Sequence, residues 1–274
     1  MASVLTDFTP FEMMRANETN QQEVYGLLAC LPETDLLDSP EMLRIYTGVP
    51  HPILNGVIRT SLFPADLKAQ IQSSIDYFHS RQVPMMWMVT PSSRPEDLAP
   101  HLEAQGLALK GTMPGMGIDL QVLPDSLPLP ADVVIEEVGD QHVLKQWSRA
   151  LGLGFGLSPE IVDVFVRVSV LLGYGEQAPI RSFLAYYKGE PAGTSSLYLG
   201  AGVAGIYNVA VVPEARQKGI GAAITAAPLQ IARDLGYRIG TLQASKMGEP
   251  VYRRLGFQEH GQFAMYGLPN PGSD

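Results

Sequence analysis

The hydrophobic pattern changes period repeatedly along the chain, and each change marks an element. Residues 10–31 and 40–47 read as helices, separated by the turn-rich LPETDLLDSP, and residues 52–59 read as a short strand. Phe63-Pro64-Ala65-Asp66 opens an amphipathic helix to Ser80, with Leu67, Ile71, Ile75 and Phe78 on one face. Met85 to Val89 is a buried strand, Pro95 to Gln105 a helix closed by Gly106, and Leu107 to Leu120 extended. Residues 121–132 hold three prolines and no helical period, which predicts a stiff linker.

Val133 to Val138 starts the second half as a strand, followed by a helix over 140–151. The alternate glycines of Gly152-Leu153-Gly154-Phe155-Gly156 then suggest a hinge or lid, with Phe155 as a substrate contact. Ser158-Pro159 supplies an N-cap residue and a first-turn proline for a helix to Leu172. Arg181 to Tyr187 and Ala192 to Leu199 form a hairpin around Lys188-Gly189-Glu190-Pro191. Val209 to Val212 is a short run rich in β-branched residues, ended by Pro213, which cannot donate to a sheet ladder. A turn, Arg216-Gln217-Lys218-Gly219-Ile220-Gly221, leads into the helical pattern Ala222 to Leu235. Pro228 falls inside that helix and should bend it.

Strand, glycine turn and helix start together make an anion site. First-turn amides lack intrahelical partners, and the helix dipole adds positive potential. The spacing is neither GxxxxGK[ST] nor GxGxxG. Close packing of a strand-turn-helix is the alternative reason for two glycines.

Composition narrows the choices. Net charge is −9, which argues against nucleic acid as a partner. Residues 214–254 carry seven basic and three acidic side chains, so that segment is +4 and the remainder −13, a local patch suited to a small polyanion. Cys30 is the only cysteine, which excludes an intrachain disulfide and fits a reducing, cytoplasmic setting. Neither a signal peptide nor a membrane-length apolar run is read. The histidines at 51, 79, 101, 142 and 260 show no metal-ligand spacing, so no metal is expected.

V-x-P-x-x-R-x-x-G-x-G after a strand resembles the acyl-CoA motif of the GNAT superfamily of N-acyltransferases. Tyr252-Arg253-Arg254-Leu255-Gly256-Phe257 resembles the second signature of that family, Y-x-x-x-G-F, at a suitable distance. The resemblance covers Val133 to Leu268. It implies an α/β (α+β) fold in which main-chain groups of Val209, Ala210 and Val211 meet the pantetheine. Amides of Arg216, Gln217, Lys218, Gly219, Ile220 and Gly221 would meet the pyrophosphate, and Tyr252 would be the acid for the thiolate. Ser245 stands where relatives carry a cofactor-touching asparagine.

Leu102 to Gly111 also lines up with Tyr252 to Gly261, glycine on glycine, which reads as an internal repeat. The first copy lacks the glycines and the tyrosine. The expected organisation is therefore two GNAT-like halves, each a mixed, mostly antiparallel sheet flanked by helices. Residues 1–124 would be a degenerate domain that walls one side of the cleft, and residues 125–274 the acetyltransferase domain binding acetyl-CoA.

A base is harder to read. Neither Gly240-Thr241-Leu242-Gln243-Ala244 nor Ile206-Tyr207-Asn208 offers a carboxylate, so a water on Asn208, Tyr207 or Ser196 is expected to serve, or the amine to arrive neutral. Activity would then follow the neutral fraction of the amine. Glu176 could instead hold a substrate ammonium. The expected activity is acetyl transfer from acetyl-CoA to a small-molecule amine, without membrane or nucleic-acid partners and with a homodimer left open. A non-catalytic CoA-binding module and a protein-amine acceptor are the alternatives.

Overall fold

The computed structural model describes residues 4–124 and 129–268. Helix α1 (Pro10–Gly26) precedes strands β1 (Asp35–Asp38), β2 (Met42–Tyr46) and β3 (Asn55–Thr60). Then come α2 (Leu67–His79), β4 (Met86–Val89), α3 (Leu98–Ala104) and β5 (Ala108–Asp119). The second half holds β6 (Val133–Glu137), α4 (Gln141–Phe155), α5 (Pro159–Leu172), β7 (Ile180–Tyr187), β8 (Glu190–Gly200) and β9 (Val203–Val211). It ends with α6 (Ile220–Asp234), β10 (Ile239–Gln243), α7 (Glu249–Leu255) and β11 (Gln258–Gly267).

The chain packs as two compact units, each discontinuous in sequence. The C-terminal unit is Met1–Gln21 with Pro114–His260, and the N-terminal unit is Gln22–Met113 with Gly261–Asp274. Each unit therefore takes residues from both sides of position 124.

In the N-terminal unit β1, β2 and β3 are antiparallel neighbours, β4 joins β3 in parallel, and β11 pairs antiparallel with β4 through Ala264↔Val89. The C-terminal unit follows a similar succession with one more antiparallel strand. Strands β6 to β9 are antiparallel, β10 joins β9 in parallel, and β5 pairs antiparallel with β10 through Thr241↔Gly117. Each half of the chain thus gives its last strand to the unit built mainly from the other half. Ile71, Phe78, Trp87, Leu98 and Leu102 fill the N-terminal core; Trp147, Phe183, Ile224, Leu229, Tyr252 and Phe257 fill the C-terminal one.

Local chemistry explains the boundaries. Asp140 caps α4 by accepting from the Val143 amide at 2.9 Å, and Gly156 closes it in the left-handed region. Gly106 and Gly256 turn the chain in the same left-handed way after α3 and α7.

Several expectations change. Residues 40–47 contain β2, not a helix: Met42, Leu43 and Ile45 are buried on both faces, so no two-residue alternation is visible. The preceding turn-rich segment contains β1. Gly152 and Gly154 lie inside α4, so they form no hinge. A Cβ on Gly154 would stand 2.7 Å from Ala210 Cβ, so glycine there serves close helix–strand contact. Phe155, at the end of α4, is exposed. The linker expected over 121–132 begins with a short 3-10 turn, and its residues 125–128 lie outside the described residues.

Candidate functional site

The C-terminal unit opens between β9 and β10. These strands pair only at Gly240↔Ala204 and Thr241↔Gly205, and from there to the ends of both strands no further register pair joins them. A bulge drives the separation. Thr194 faces Ala210 and Ser196 faces Tyr207, so β9 carries one extra residue opposite Ser195. Asn208, at that bulge, has φ 54°, the left-handed region that asparagine tolerates better than most side chains. Thr194 Oγ1 donates to the Asn208 carbonyl at 2.7 Å, and Asn208 Nδ2 donates to Ser196 Oγ at 3.1 Å. Ser196 Oγ in turn lies 3.1 Å from Ser182 Oγ. Asn208 is thus fixed by hydrogen bonds to β8. Val209, Ala210 and Val211 present to the slot a main-chain edge with no strand opposite.

Beyond the slot, a 3-10 turn (Pro213–Ala215) leads to the start of α6. Gln217 and Gly219 have φ 62° and 78°, which curls the chain so that amides precede the helix. The Ala223 amide closes the first helical bond, on the Gly219 carbonyl at 3.1 Å, so the amides of the preceding turn are the orphan ones. A methyl on Gly221 would meet only Val211 Cγ2 at 3.7 Å, an ordinary contact, so close packing does not demand glycine there.

Arg216 is engaged differently from its neighbours. Its amide donates to the Pro213 carbonyl at 3.3 Å, and its guanidinium donates to the carbonyls of Val211 at 3.2 Å and Gly154 at 3.0 Å. It braces α4 against β9. The exposed Lys218 donates to the Glu214 carbonyl at 2.9 Å and stands 5.5 Å from the Tyr187 ring centroid.

Tyr252 on α7 is buried and packs edge-on against Phe257. Burial pushes its phenol up to about 12, while a hydrogen bond with Thr225 pulls the other way. Thr225 Oγ1 donates to the Gly221 carbonyl at 2.8 Å, which ties the tyrosine to the glycine turn. Ser245 Oγ accepts from the Gly248 amide at 3.1 Å and so helps to start α7. Glu176 acts on the Arg181 guanidinium, which is held bidentately by Glu137 at 2.6 and 2.7 Å.

The sequence pattern did not show that α1 builds one wall of this site. Asn17 Nδ2 donates to the Met116 and Leu242 carbonyls at 3.2 and 3.1 Å, and its Oδ1 accepts from Gln243 Nε2 at 2.5 Å. Asn20 Oδ1 accepts from the Tyr207 hydroxyl at 2.6 Å, and its Nδ2 donates to the Gly200 carbonyl at 2.9 Å. One helix therefore grips both sides of the opening. Buried amides at residues 17, 20 and 21 on a helix were the available signal.

Residues 179–259 match the family described as the acetyltransferase (GNAT) domain. The fold is a GNAT fold. A GCN5-related N-acetyltransferase from Kribbella flavida superposes with a TM-score of 0.73 at 17% identity, over 94% of this chain and 97% of that one. One from Sphaerobacter thermophilus gives 0.65 at 18% identity, over 87% and 84%. A tandem GNAT protein from the clavulanic acid biosynthesis pathway gives 0.59 at 15% identity, over 89% and 85%. Among curated proteins no relative matches. The matched residues contain β9, β10 and the start of α6.

The corresponding place in the N-terminal unit is sealed. Trp87 Nε1 on β4 donates to Thr60 Oγ1 on β3 at 2.9 Å. Backbone pairing continues past β3, with Arg94 N–H on the Thr60 carbonyl at 2.9 Å and Leu62 N–H on the Arg94 carbonyl at 3.0 Å. There α2 begins at Leu67 after Asp66, without a glycine turn. Among the described residues no cluster of His, Cys, Asp and Glu could hold a metal ion, and no helix is long and apolar enough to cross a membrane.

Proposed function

We propose that the C-terminal unit moves an acetyl group from acetyl-CoA to the amine of a small molecule, by direct attack in a ternary complex. The observation that carries this reading is the slot between β9 and β10 ending at the glycine turn of α6. In this reading the free edge of Val209, Ala210 and Val211 meets the pantetheine. The pyrophosphate lies on the amides of Gln217, Lys218, Gly219, Ile220 and Gly221. Arg216 contributes by bracing that turn, because its own amide is already used. Tyr252 holds a proton for the departing sulfur, and Asn208 orients groups at the bulge. A main-chain amide aimed at the developing oxyanion contributes about 2.7–4 kcal/mol in hydrolases. The N-terminal unit serves as a degenerate copy that takes no CoA, since Trp87, Thr60 and Arg94 close its equivalent opening.

A CoA-binding module without turnover is the second reading. The observation favouring it is the phenol of Tyr252, pushed up to about 12 and so a weak donor to a thiolate. Thiol release from acetyl-CoA across a panel of small amines decides between them. Amine-dependent release supports the transferase, and tight binding with no release from any amine supports the module.

A further inference from the structure

Two buried polar atoms at the closed end of the slot lack hydrogen-bond partners among the described residues: Thr241 Oγ1 and His260 Nε2. Thr241 is fully buried, and its pairing with Gly205 is the last contact before β9 and β10 part. On its other side Thr241 is the cross-strand partner of Gly117. A Cβ on Gly117 would stand 3.3 Å from His260 Nε2, so the imidazole lies over that glycine, on the sheet face that its cross-strand partner Thr241 shares. Cross-strand Cβ positions lie about 4.5–5.5 Å apart, which leaves room for one small polar group between hydroxyl and imidazole. Met13 and Asn20 of α1 cover the two flanking glycines from above. Buried polar atoms are almost always partnered, and a pair left open at the end of a substrate slot points to a group that arrives with the reaction.

We propose that Thr241 and His260 form a proton-accepting station at the closed end of the slot, which takes the proton of the acceptor ammonium. This rests on the acyl-transfer reading and supplies the base that neither slot strand carries. The acceptor nitrogen, seated between the two groups, gives one proton to His260 Nε2 while Thr241 Oγ1 accepts a hydrogen bond from a second N–H and holds the nitrogen in place. The freed nitrogen lone pair bonds the thioester carbonyl carbon, the carbon–sulfur bond breaks with its electron pair on sulfur, and the surplus proton left on nitrogen balances the one that the thiolate takes up to leave as the thiol. The scheme needs the imidazole neutral with its proton on Nδ1. Burial lowers the His260 pKa from 6.5, which keeps it neutral near pH 7. The charged groups on the surrounding elements are Glu12, paired with Arg15, the buried Glu18, and Glu23 on α1. Strand β5 adds Lys110 and Asp119, the latter paired with Arg238, and β11 adds Glu259, paired with Arg253.

Thr241→Val removes the hydroxyl at nearly constant volume, and the lost group has no partner to orphan. Its Tm should be unchanged or raised while kcat falls about 10²-fold. For the wild type, kcat/KM against pH should show one inflection below 6.5 for two amines of different pKa. His260→Gln should make the inflection follow each amine instead. An inflection that already tracks the amine in the wild type, or full activity in Thr241→Val, overturns the station. A second measurement needs no amine. The imidazole resonance of His260, assigned by its loss in His260→Gln, should shift when acetyl-CoA is added, while those of His79 and His101 stay put. An unmoved His260 resonance with acetyl-CoA bound also overturns it. A chain that takes up no acetyl-CoA defeats the proposed function, and this inference with it.

Discussion

The Ser195 hydroxyl donates to the Ile224 carbonyl at 2.7 Å, and that bond accounts for a proline inside α6. Ile224 lies four residues before Pro228, whose missing N–H would otherwise leave its carbonyl without a helical partner. Both Ser195 and Pro228 are buried, so solvent is not at hand to substitute. Ser195 also faces the bulge on β9, so the same residue secures the helix and sits behind the slot. Ser195→Ala should cost about 1–3 kcal/mol in urea unfolding, the penalty of an orphaned buried carbonyl. In a Pro228→Ala background the helix regains its own donor, and the serine substitution should cost clearly less. Equal costs in both backgrounds would break the link.

Gly205 lets α1 reach the sheet. A Cβ there would fall 1.9 Å from Asn20 Oδ1 and 2.7 Å from Tyr207 Cε2. Gly205→Ala should therefore displace α1, with about 1–3 kcal/mol of overpacking cost and faster hydrogen exchange over its first turns. Unaltered exchange in α1 would mean that the helix does not depend on this contact.

Tyr252→Phe separates chemistry from packing. If the phenol gives a proton to the leaving sulfur, kcat should drop about 10²–10⁴-fold with CoA affinity nearly unchanged. A variant that turns over like the wild type would leave Tyr252 as a core aromatic bonded to Thr225.

The same phenol makes an alkaline prediction. Its folded pKa is raised from 10.0 to about 12, so the unfolded chain ionises first. The stability it contributes is full below pH 10 and is lost as the pH climbs through about 12. Between those values wild-type stability should fall faster than that of Tyr252→Phe, in which the other tyrosines titrate unchanged. Parallel stability curves would contradict the burial-raised pKa.

Much of the C-terminal site was legible because its signals are local. Pro213, Gly219, Gly221 and the Tyr252 to Phe257 signature lie within consecutive elements whose order follows from hydrophobic period alone. The helix α1 was legible as a helix but not as part of this site, because its partners Gln243 and Tyr207 lie some two hundred residues away in sequence. Exchange of β5 and β11 left no trace for the same reason: each strand has the same alternation whichever unit completes its pairing. The β2 misreading had a different cause, burial on both faces, which removes the period that marks a strand. Thr241 and His260 carry no pattern at all. Only cross-strand register brings them to the same glycine.

Calorimetric titration of the whole chain with CoA tests the central claim most directly. The slot and glycine turn of the C-terminal unit should bind CoA once per chain, and Gly219→Glu with Gly221→Glu should abolish binding by putting carboxylates where the pyrophosphate would lie. Two equivalent sites, or CoA retained by that double variant, would contradict a single acyl-CoA site at the start of α6.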